Sequence, residues 1–200
     1  MRLVFASNNA HKLDEVRRIL PSTIEVLSLH DIGFEDDIVE DGDTLEANSR
    51  IKAECVYNWL EERGELTAVD GVFADDTGLE IAALGGQPGV YTARWAGEPA
   101  NDANNRAKAL RELRDKSDRS ARFRTVVTLR LKGEEAVVMD GVVNGRMDTE
   151  EKGDGGFGYD PLFIPEGYDK TFAQLPAEVK NSISHRARAM AELKTKLEQI

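Results

Sequence analysis

The stretch FADDTGLEI, residues 73 to 81, places two adjacent carboxylates directly after a short apolar run. The run GVFA predicts a buried strand, so that Asp75 and Asp76 stand at its end. Adjacent carboxylates repel each other, and a chain selected for stability alone has little reason to keep both there. The pair therefore indicates a positively charged neighbour and a functional role. A solvated turn is the plain alternative.

Around this stretch, apolar periodicity predicts strands and helices that do not alternate strictly. The predicted strands lie in RLVFA, IEVLSL, GVFA, RFRTVVTLRL (half-buried) and EEAVVMDGVVNGRM (strands around a glycine turn). The predicted helices lie in HKLDEVRRIL, TLEANSRIKAECVYNWLEERG, NDANNRAKALRELRDK and SHRARAMAELKTKLEQI. We therefore expect an α/β fold, with a mixed sheet and helices packed on it. No linker is visible, so any two lobes share the sheet.

Composition excludes several classes of function. The net charge of −11 over 200 residues argues against a nucleic-acid binder, which usually has a basic face. There is no run of eighteen apolar residues to span a membrane, and the N-terminal apolar run is too short for a signal peptide, so we expect a cytosolic protein. Cys55 is the only cysteine, which excludes an internal disulfide, and we expect it to be a small buried residue on a helix.

The turn SNNAHK, residues 7–12, joins the first predicted strand to the first predicted helix. Serine and asparagine cap helices, and the N–H groups at a helix start have partial positive charge. With the full charge of Lys12, the turn is suited to hold a triphosphate. It lacks the glycines of a P-loop. An ordinary helix cap followed by an exposed lysine is the alternative.

An acidic, glycine-punctuated loop around Glu40 accompanies the carboxylate pair. Mg²⁺ takes oxygen ligands, usually one or two carboxylates together with phosphate oxygens of the substrate. Asp75 and Asp76 meet that need and provide a spare carboxylate to orient or deprotonate a water.

The glycine-rich stretch GGFGYDPLF, residues 155–163, allows the backbone to approach a ligand closely. Phe157 and Tyr159 are suited to stack on a nucleobase, and Asp160 is suited to accept its N–H groups. The alternative is a glycine-rich turn whose aromatic side chains point into the core.

The stretch KNSISHRARA begins at Lys180 and places His185 and Arg186 in the first turn of the last predicted helix, with Ser184 as its cap. Cations at a helix N-terminus oppose the helix dipole. This mismatch favours a role in ligand binding, although its free-energy cost is too small to exclude a solvated basic turn.

The sequences of these motifs and their order resemble those of the inosine triphosphate pyrophosphatase family over essentially the whole chain. The resemblance rests on FASNNAHKLDEV, FADDTGLEIAALGGQPGVYTARWAG, GGFGYDPLF and KNSISHRARA. The second block is long and idiosyncratic, so a chance match is very improbable. One departure is Asn8, where many family members carry glycine. It weakens nothing essential where the backbone is not strictly left-handed, since asparagine tolerates that region.

The resemblance implies a single domain over residues 1–200. This domain would have two α/β lobes sharing an elongated, bent mixed sheet flanked by helices, with the active-site cleft between the lobes. The implied reaction is the hydrolysis of ITP, dITP and XTP to the monophosphate and pyrophosphate with Mg²⁺ as cofactor, which keeps these nucleotides out of DNA and RNA. The implied partners are small purine nucleotides and a second copy of the chain in a homodimer.

The resemblance also implies roles for individual residues. Glu40 and Asp76 bind the metal, Asp76 also accepts the proton of the attacking water, and Asp75 supports this site. The residues implied to hold the triphosphate are Ser7, Asn8, Asn9, Ala10, His11 and Lys12, with Lys12 as the main cation. The residues implied to contact the rest of the substrate are Thr77, Phe157, Gly158, Tyr159, Asp160, Lys180, His185 and Arg186.

Base specificity has a chemical explanation. Inosine and xanthine have an oxygen at C6, where adenine has an amino group. Donors from His185 or Arg186 and from the backbone, aimed at that oxygen, favour 6-oxo purines and leave unpaired polar groups opposite adenine. Which of the two side chains donates stays open.

Two other functions stay open at this point. A Maf-like pyrophosphatase would act on pyrimidine or modified nucleotides with a similar fold, and a substrate panel separates it. A non-catalytic nucleotide-binding module is the other alternative. The presence of Lys12, Asp75 and Asp76 argues against it, and measured release of pyrophosphate from ITP would exclude it.

Overall fold

The computed structural model describes residues 1–199, and over this range the chain forms an α/β fold with seven strands and five α-helices. The strands are β1 (Arg2–Phe5), β2 (Glu25–Leu27), β3 (Gly71–Ile81), β4 (Pro88–Gly89), β5 (Ser120–Leu131), β6 (Val137–Met147) and β7 (Phe163–Pro165). The helices are α1 (Ala10–Ile19), α2 (Leu45–Glu62), α3 (Asp102–Glu112), α4 (Ala177–Ile183) and α5 (His185–Leu197). None of these helices is long and apolar enough to cross a membrane.

All seven strands belong to one sheet, in the hydrogen-bonded order β2-β1-β3-β5-β6-β7, with β4 paired to β3. β1 runs parallel to both β2 and β3, and Leu3 lies opposite Gly71 in the register. The pairs β3–β4 and β6–β7 are antiparallel. The predicted α/β fold with a mixed sheet and flanking helices is therefore confirmed.

The chain divides into two compact units. The first comprises Met1–Asp76, Thr125–Gly141 and Arg186–Ile200, and the second comprises Thr77–Arg124 and Val142–His185. The division between Asp76 and Thr77 falls within β3.

In the first unit, apolar side chains are buried on both faces of the sheet. Leu3 and Phe5 of β1 pack on one face with residues of α1 and α5, such as Val16 and Met190. Val4 of β1 packs on the other face with residues of α2. A parallel strand covered on both faces reads as a continuous apolar run, which is why RLVFA shows no alternation.

β3 differs from the sequence prediction in a way that matters for the site. It is one strand of eleven residues, Gly71–Ile81, so Asp75 and Asp76 lie in its middle and not at its end. Successive side chains of a strand point to opposite faces. Asp75 therefore lies on the face of Phe73, toward α1 and α5, and Asp76 lies on the face of Ala74, toward α2. The strand continues through both carboxylates because each has cations beside it.

Cys55 lies on α2 but is exposed, so the expected burial is wrong. The buried face of the helix consists of Leu45, Asn48, Ser49, Lys52, Ala53, Val56, Tyr57 and Leu60. Cys55 falls outside this stripe. Partial burial and the charge of Asp36 raise the pKa of its thiol, which argues against a reactive nucleophile.

Three further elements differ from the sequence predictions. β6 is a single strand because Gly141 does not adopt a positive φ, so no glycine turn interrupts it. In β5, residues 125–129 are all buried, so the centre of this strand is covered on both faces. The seven-residue helix α4 was not predicted, because so short a segment shows no clear apolar period.

The second unit has its own apolar core. Leu79 and Ile81 from the end of β3 pack with Phe123 of β5 and Phe163 of β7. Leu113, the C-cap residue of α3, belongs to the same cluster. The aromatic members place ring surfaces close to the glycine-rich stretch 155–163, which also lies in this unit.

Candidate active site

The turn before α1 is fixed by its own side chains. Asn9 is the N-cap, and its Oδ1 accepts a hydrogen bond from the N–H of Lys12 at 3.1 Å. Ser7 Oγ accepts one from the N–H of Asn9 at 3.2 Å. Within residues 1–199 only glycines have a positive φ, so Asn8 adopts ordinary backbone and can replace a family glycine without strain.

Asp75 lies between two cations of the first unit. Its Oδ1 is 2.9 Å from Lys12 Nζ, and its Oδ2 is 3.1 Å from Arg186 Nε. Glu15 of α1 also pairs with the guanidinium of Arg186. The alternative of an exposed lysine is thus wrong, since only 14% of the Lys12 side chain is exposed.

Asp76, on the other face of β3, shares its cation with the acidic loop. Lys52 Nζ lies 2.7 Å from Glu40 Oε2 and 3.6 Å from Asp76 Oδ1. Two carboxylates that are 36 positions apart in the chain therefore meet at one ammonium group. The sequence predicted that Glu40 accompanies the Asp75–Asp76 pair. In the structure, Glu40 meets Asp76 of this pair through the ammonium group of Lys52.

Lys52 was missed by the sequence analysis. Its side chain is only 8% exposed and lies on the buried stripe of α2, one turn after Asn48. A lysine on the apolar face of a predicted helix is unusual, because lysine is almost never fully buried without a partner. That pattern was available in the sequence and would have predicted a carboxylate partner for Lys52.

The two neighbouring carboxylates have opposite pKa shifts. Burial alone would raise the pKa of Asp75, but Lys12, Arg186 and Lys52 outweigh it and hold that pKa well below its usual range. Burial also raises the pKa of Asp76, and there Lys52 and Lys12 do not compensate fully. Adjacent groups whose environments separate their pKa values are typical of sites with distinct acid–base roles.

The lysines differ in the same way. Burial lowers the pKa of Lys12, and the charge of Asp75 opposes this shift only in part. Burial would also lower the pKa of Lys52, but Asp76 and Glu40 outweigh it and raise that pKa. Lys52 is therefore held as a cation by its carboxylates. The charged form of Lys12 would be stabilised by any further negative charge close to it.

Charges around β3 nearly balance. The charged side chains of the two clusters are Lys12, Lys52, Arg186, Glu15, Glu40, Asp75 and Asp76. Three cations and four carboxylates leave a formal charge of −1. Within residues 1–199, no three His, Cys, Asp or Glu side chains are grouped to hold a metal by themselves. The oxygen donors of Glu40 and Asp76 nevertheless fit Mg²⁺, which needs only one or two carboxylates when substrate and water complete its ligands.

In the second unit, Asp160 organises the glycine-rich stretch. Its Oδ2 is 2.6 Å from Lys180 Nζ, and it accepts a hydrogen bond from the N–H of Phe157 at 2.9 Å. Lys180 Nζ lies 4.9 Å from the centre of the Phe157 ring, at cation–π distance. An aromatic ring, a buried carboxylate and an ammonium group thus lie together in the second unit.

Tyr159 does not belong to that group. It is buried, and its hydroxyl donates a hydrogen bond to the carbonyl of Thr92 at 2.8 Å. Burial and the charge of Asp102 raise the pKa of its hydroxyl. The expectation that Tyr159 stacks on a base is wrong because its ring packs in the core. Gly158, with a φ of 62°, donates its N–H to Asp102 Oδ2 at 2.8 Å.

His185 and Arg186 begin α5, as predicted, but neither is solvated. His185 is 4% exposed and stacks on Phe123, with ring centroids 4.6 Å apart. Arg186 is 1% exposed and pairs with carboxylates of the first unit. The alternative of a solvated basic turn is therefore wrong. The unfavourable helix dipole at Arg186 is offset by Asp75 and Glu15.

The remaining predicted residues are placed as follows. Thr77 is half-buried in β3 at the start of the second unit, and Ala10 and His11 are exposed in the first turn of α1. Ser184 ends α4, where its N–H donates to the carbonyl of Lys180 at 2.9 Å.

Buried ion pairs cost free energy unless they are well compensated, and side chains with shifted pKa values beside specific charge partners are candidates for a functional site. In this α/β protein, Lys12 beside a capped helix start is the group suited to an anionic ligand.

Comparison with known proteins gives the family. A sequence model of the Ham1 family matches residues 3–196. A curated dITP/XTP pyrophosphatase of Flavobacterium johnsoniae is 47% identical over 193 residues, which cover 96% of each chain. The solved structure of the Staphylococcus aureus Ham1 protein has a TM-score of 0.86 at 38% identity, covering 100% of this chain and 99% of that one. The Mycobacterium abscessus nucleoside-triphosphatase / dITP/XTP pyrophosphatase has a TM-score of 0.73 at 38% identity, covering 96% and 98%. This protein belongs to the Ham1 family, which confirms the resemblance predicted from the motifs.

Proposed function

We propose that this protein hydrolyses the non-canonical purine nucleoside triphosphates ITP, dITP and XTP to the monophosphate and pyrophosphate, and so keeps them out of DNA and RNA. The observation that carries the proposal is that the chain is 45–47% identical, over 96% of its length, to proteins named dITP/XTP pyrophosphatase. The different environments of Asp75 and Asp76 support it, because they provide one fixed anion and one titratable base.

The triphosphate is assigned to the turn from Ser7 to Lys12. Lys12 Nζ is already oriented by Asp75 at 2.9 Å, so a phosphate oxygen meets a cation that needs little reorganisation. The burial that lowers the pKa of Lys12 is offset when further negative charge approaches, which favours binding of a polyanion. The start of α1 adds the partial positive charge of its N–H groups.

Glu40 and Asp76 are the proposed ligands of Mg²⁺. Bound there, the ion would lower the pKa of a bound water and offset charge on the leaving pyrophosphate. Lys52 holds both carboxylates on one ammonium group and supplies a further positive charge for the phosphates.

Asp76 is the proposed proton acceptor. The water adds its oxygen to the substrate as the anhydride bond between the α- and β-phosphates breaks, and its proton passes to the Asp76 carboxylate. Burial raises the pKa of Asp76 in the metal-free protein, and a carboxylate beside the attacking water is suited to accept its proton. Asp75 stays ionised and keeps Lys12 and Arg186 in place.

Base recognition is assigned to residues of the second unit. Phe157 offers a ring for stacking, and Lys180 is the donor suited to a 6-oxo group. Asp160 orients Lys180 and is suited to accept the N–H of the purine ring. His185 completes this set, whereas Arg186 is assigned to the Asp75 face of β3, because its guanidinium contacts Asp75 and Glu15.

The assembly and location are proposals of the same kind. We assign the protein to the cytosol as a homodimer whose substrates are small nucleotides, with neither nucleic acid nor membrane as partner. Light scattering coupled to size exclusion measures the mass in solution, and a monomer at micromolar concentration would contradict the dimer.

A pyrophosphate-release assay over ITP, XTP, GTP, ATP and dTTP, with and without Mg²⁺, tests the proposal. We expect ITP and XTP to be favoured strongly over ATP and no release after chelation of the metal. A preference for dTTP would instead indicate a Maf-like pyrophosphatase. Absence of release from every nucleotide would indicate a non-catalytic binding module.

A further inference from the structure

The acidic loop before α2 is attached to that helix at two points, one helical turn apart. Glu40 Oε2 lies 2.7 Å from Lys52 Nζ. The N–H of Gly42 donates a hydrogen bond to Asn48 Oδ1 at 2.8 Å. Residues four apart on a helix lie on the same face, so Asn48 and Lys52 meet the loop side by side.

Gly42 lies so close to the helix that only glycine fits. A Cβ at this position would come within 2.7 Å of both the Ala47 Cβ and the Asn48 Oδ1. Gly42 does not have a positive φ, so close packing explains the glycine, and backbone freedom does not. The loop is therefore packed against the start of α2.

Asn48 is 2% exposed, and a buried amide needs hydrogen-bond partners. The next residue, Ser49, donates its hydroxyl to the carbonyl of Ala74 at 3.1 Å and so attaches the same turn of α2 to β3 just before Asp75. One turn of helix thus holds both the loop with Glu40 and the strand with Asp76.

We propose that Asn48 is a positioning residue, and that Asn48 and Gly42 form a loop clamp that holds Glu40 on the ammonium group shared with Asp76. The inference rests on the proposed function, in which Glu40 and Asp76 bind Mg²⁺. The Glu40 side chain is 37% exposed and lies on a loop, so without the clamp little packing holds it in place.

The clamp predicts a defect in metal binding with the fold intact. Residues that orient metal ligands typically contribute about 10- to 100-fold to metal affinity. Asn48→Ala removes the acceptor, and Gly42→Ala removes the close approach from the loop side. Both should raise the Mn²⁺ dissociation constant of the nucleotide-free protein, measured by electron paramagnetic resonance, by about tenfold or more.

A matched control exists in the second unit. Asn105 of α3 is 1% exposed and accepts a hydrogen bond from the N–H of Ala96 at 2.7 Å, so it attaches another loop to another helix in the same way. Asn105→Ala removes an acceptor of the same kind, together with the hydrogen bond that Asn105 Nδ2 donates to the carbonyl of Ala93 at 2.9 Å. It should leave Mn²⁺ affinity within about twofold of wild type, even where its melting temperature falls.

Amide hydrogen exchange reports the clamp directly and needs neither metal nor activity. In peptides covering residues 38–44, exchange should be faster by about tenfold or more in Asn48→Ala and Gly42→Ala, and unchanged in Asn105→Ala. Asn48→Asp keeps an acceptor oxygen and should restore slow exchange. These readings separate loss of the clamp from general unfolding.

The outcomes separate this inference from the proposed function. Faster loop exchange together with weaker Mn²⁺ binding in both variants supports the clamp. Unchanged exchange, or faster exchange with Mn²⁺ affinity within twofold of wild type, overturns it, even where the wild type hydrolyses ITP. A wild type that binds Mn²⁺ but releases no pyrophosphate from ITP contradicts the proposed function, while the clamp is still judged by exchange and Mn²⁺ affinity.

Discussion

The two faces of β3 place two neighbouring aspartates in different environments. On one face, Asp75 is completely buried between Lys12 and Arg186. On the other face, Asp76 is only partly buried and shares Lys52 with a carboxylate of the acidic loop. The pKa of Asp75 is lowered by its cations, and the pKa of Asp76 is raised by burial.

The comparison shows that burial alone does not set the direction of the pKa shift, because the charged neighbours of the two aspartates differ. Both carboxylates lose water on folding, which alone disfavours their charge. Asp75 recovers this cost from two direct ion pairs and becomes a fixed anion. Asp76 shares Lys52 with Glu40, and burial keeps its pKa raised in the metal-free protein.

Asp76→Asn should have the largest effect on this contrast. Loss of a general base alone lowers kcat by about 10²–10⁴, and loss of a metal ligand adds to it. Because the raised pKa means that the Asp76 charge is disfavoured in the fold, the melting temperature in metal-free buffer at neutral pH should not fall. Pyrophosphate release from ITP and thermal unfolding measure the two effects. Activity within about tenfold of wild type would exclude the proposed role.

Asp75→Asn should instead act mainly on stability. It leaves two buried cations without their shared carboxylate, and breaking a buried ion pair in this way typically costs about 3–5 kcal/mol. Chemical denaturation of both variants at neutral pH gives the free energies of unfolding. Equal stability of Asp75→Asn and Asp76→Asn would show that the two faces of β3 are not different in this respect.

Arg186→Ala sharpens the assignment of the Asp75 face. The guanidinium of Arg186 contacts Asp75 and Glu15. We therefore expect Arg186→Ala to lower kcat/KM for ITP and ATP alike, by a factor that corresponds to about 1.5–3 kcal/mol of lost transition-state stabilisation. Arg186→Lys, which keeps the charge but cannot make both contacts in the same geometry, is the matched control. A fall restricted to ITP would instead identify Arg186 as a donor to the base.

Acid unfolding should show the smallest difference. A carboxyl group whose folded pKa is lowered contributes stability above its unfolded pKa, which is about 3.9, and this contribution is lost as the pH falls further. Asp75 follows this sign, so the melting temperature of the wild type should decline more steeply below about pH 4 than that of Asp75→Asn. Parallel declines would contradict the lowered pKa.

Much of the fold was predictable from local patterns. The ends of α2 and α3 follow local rules, since Thr44 and Asn101 cap these helices with their own side chains and Gly64 follows the end of α2. The inward residues Met190 and Leu193 of α5 follow the helical period. β3 was predicted too short, because carboxylates in a strand are tolerated only when distant cations compensate them.

The candidate site was predictable in its motifs but not in its pairings. Lys12, Asp75 and Asp76, which were selected from their motifs, lie in the charged clusters around β3. Lys52 was missed, and Tyr159 was assigned to the site although it packs in the core. Both errors have the same cause, since residue type indicates what a side chain is able to do but not which face it occupies.

By itself, the sequence determined the types of the longer elements, the mixed α/β class, the family and the chemistry available at each motif, because these depend on short-range periodicity and on local sequence motifs. Only the tertiary structure decided that Asp75 and Asp76 serve opposite faces and that Glu40 meets Asp76 through Lys52. The paired residues are separated by between 12 and 111 positions in the chain. The pairs form only when the packed helices bring their charged side chains to β3.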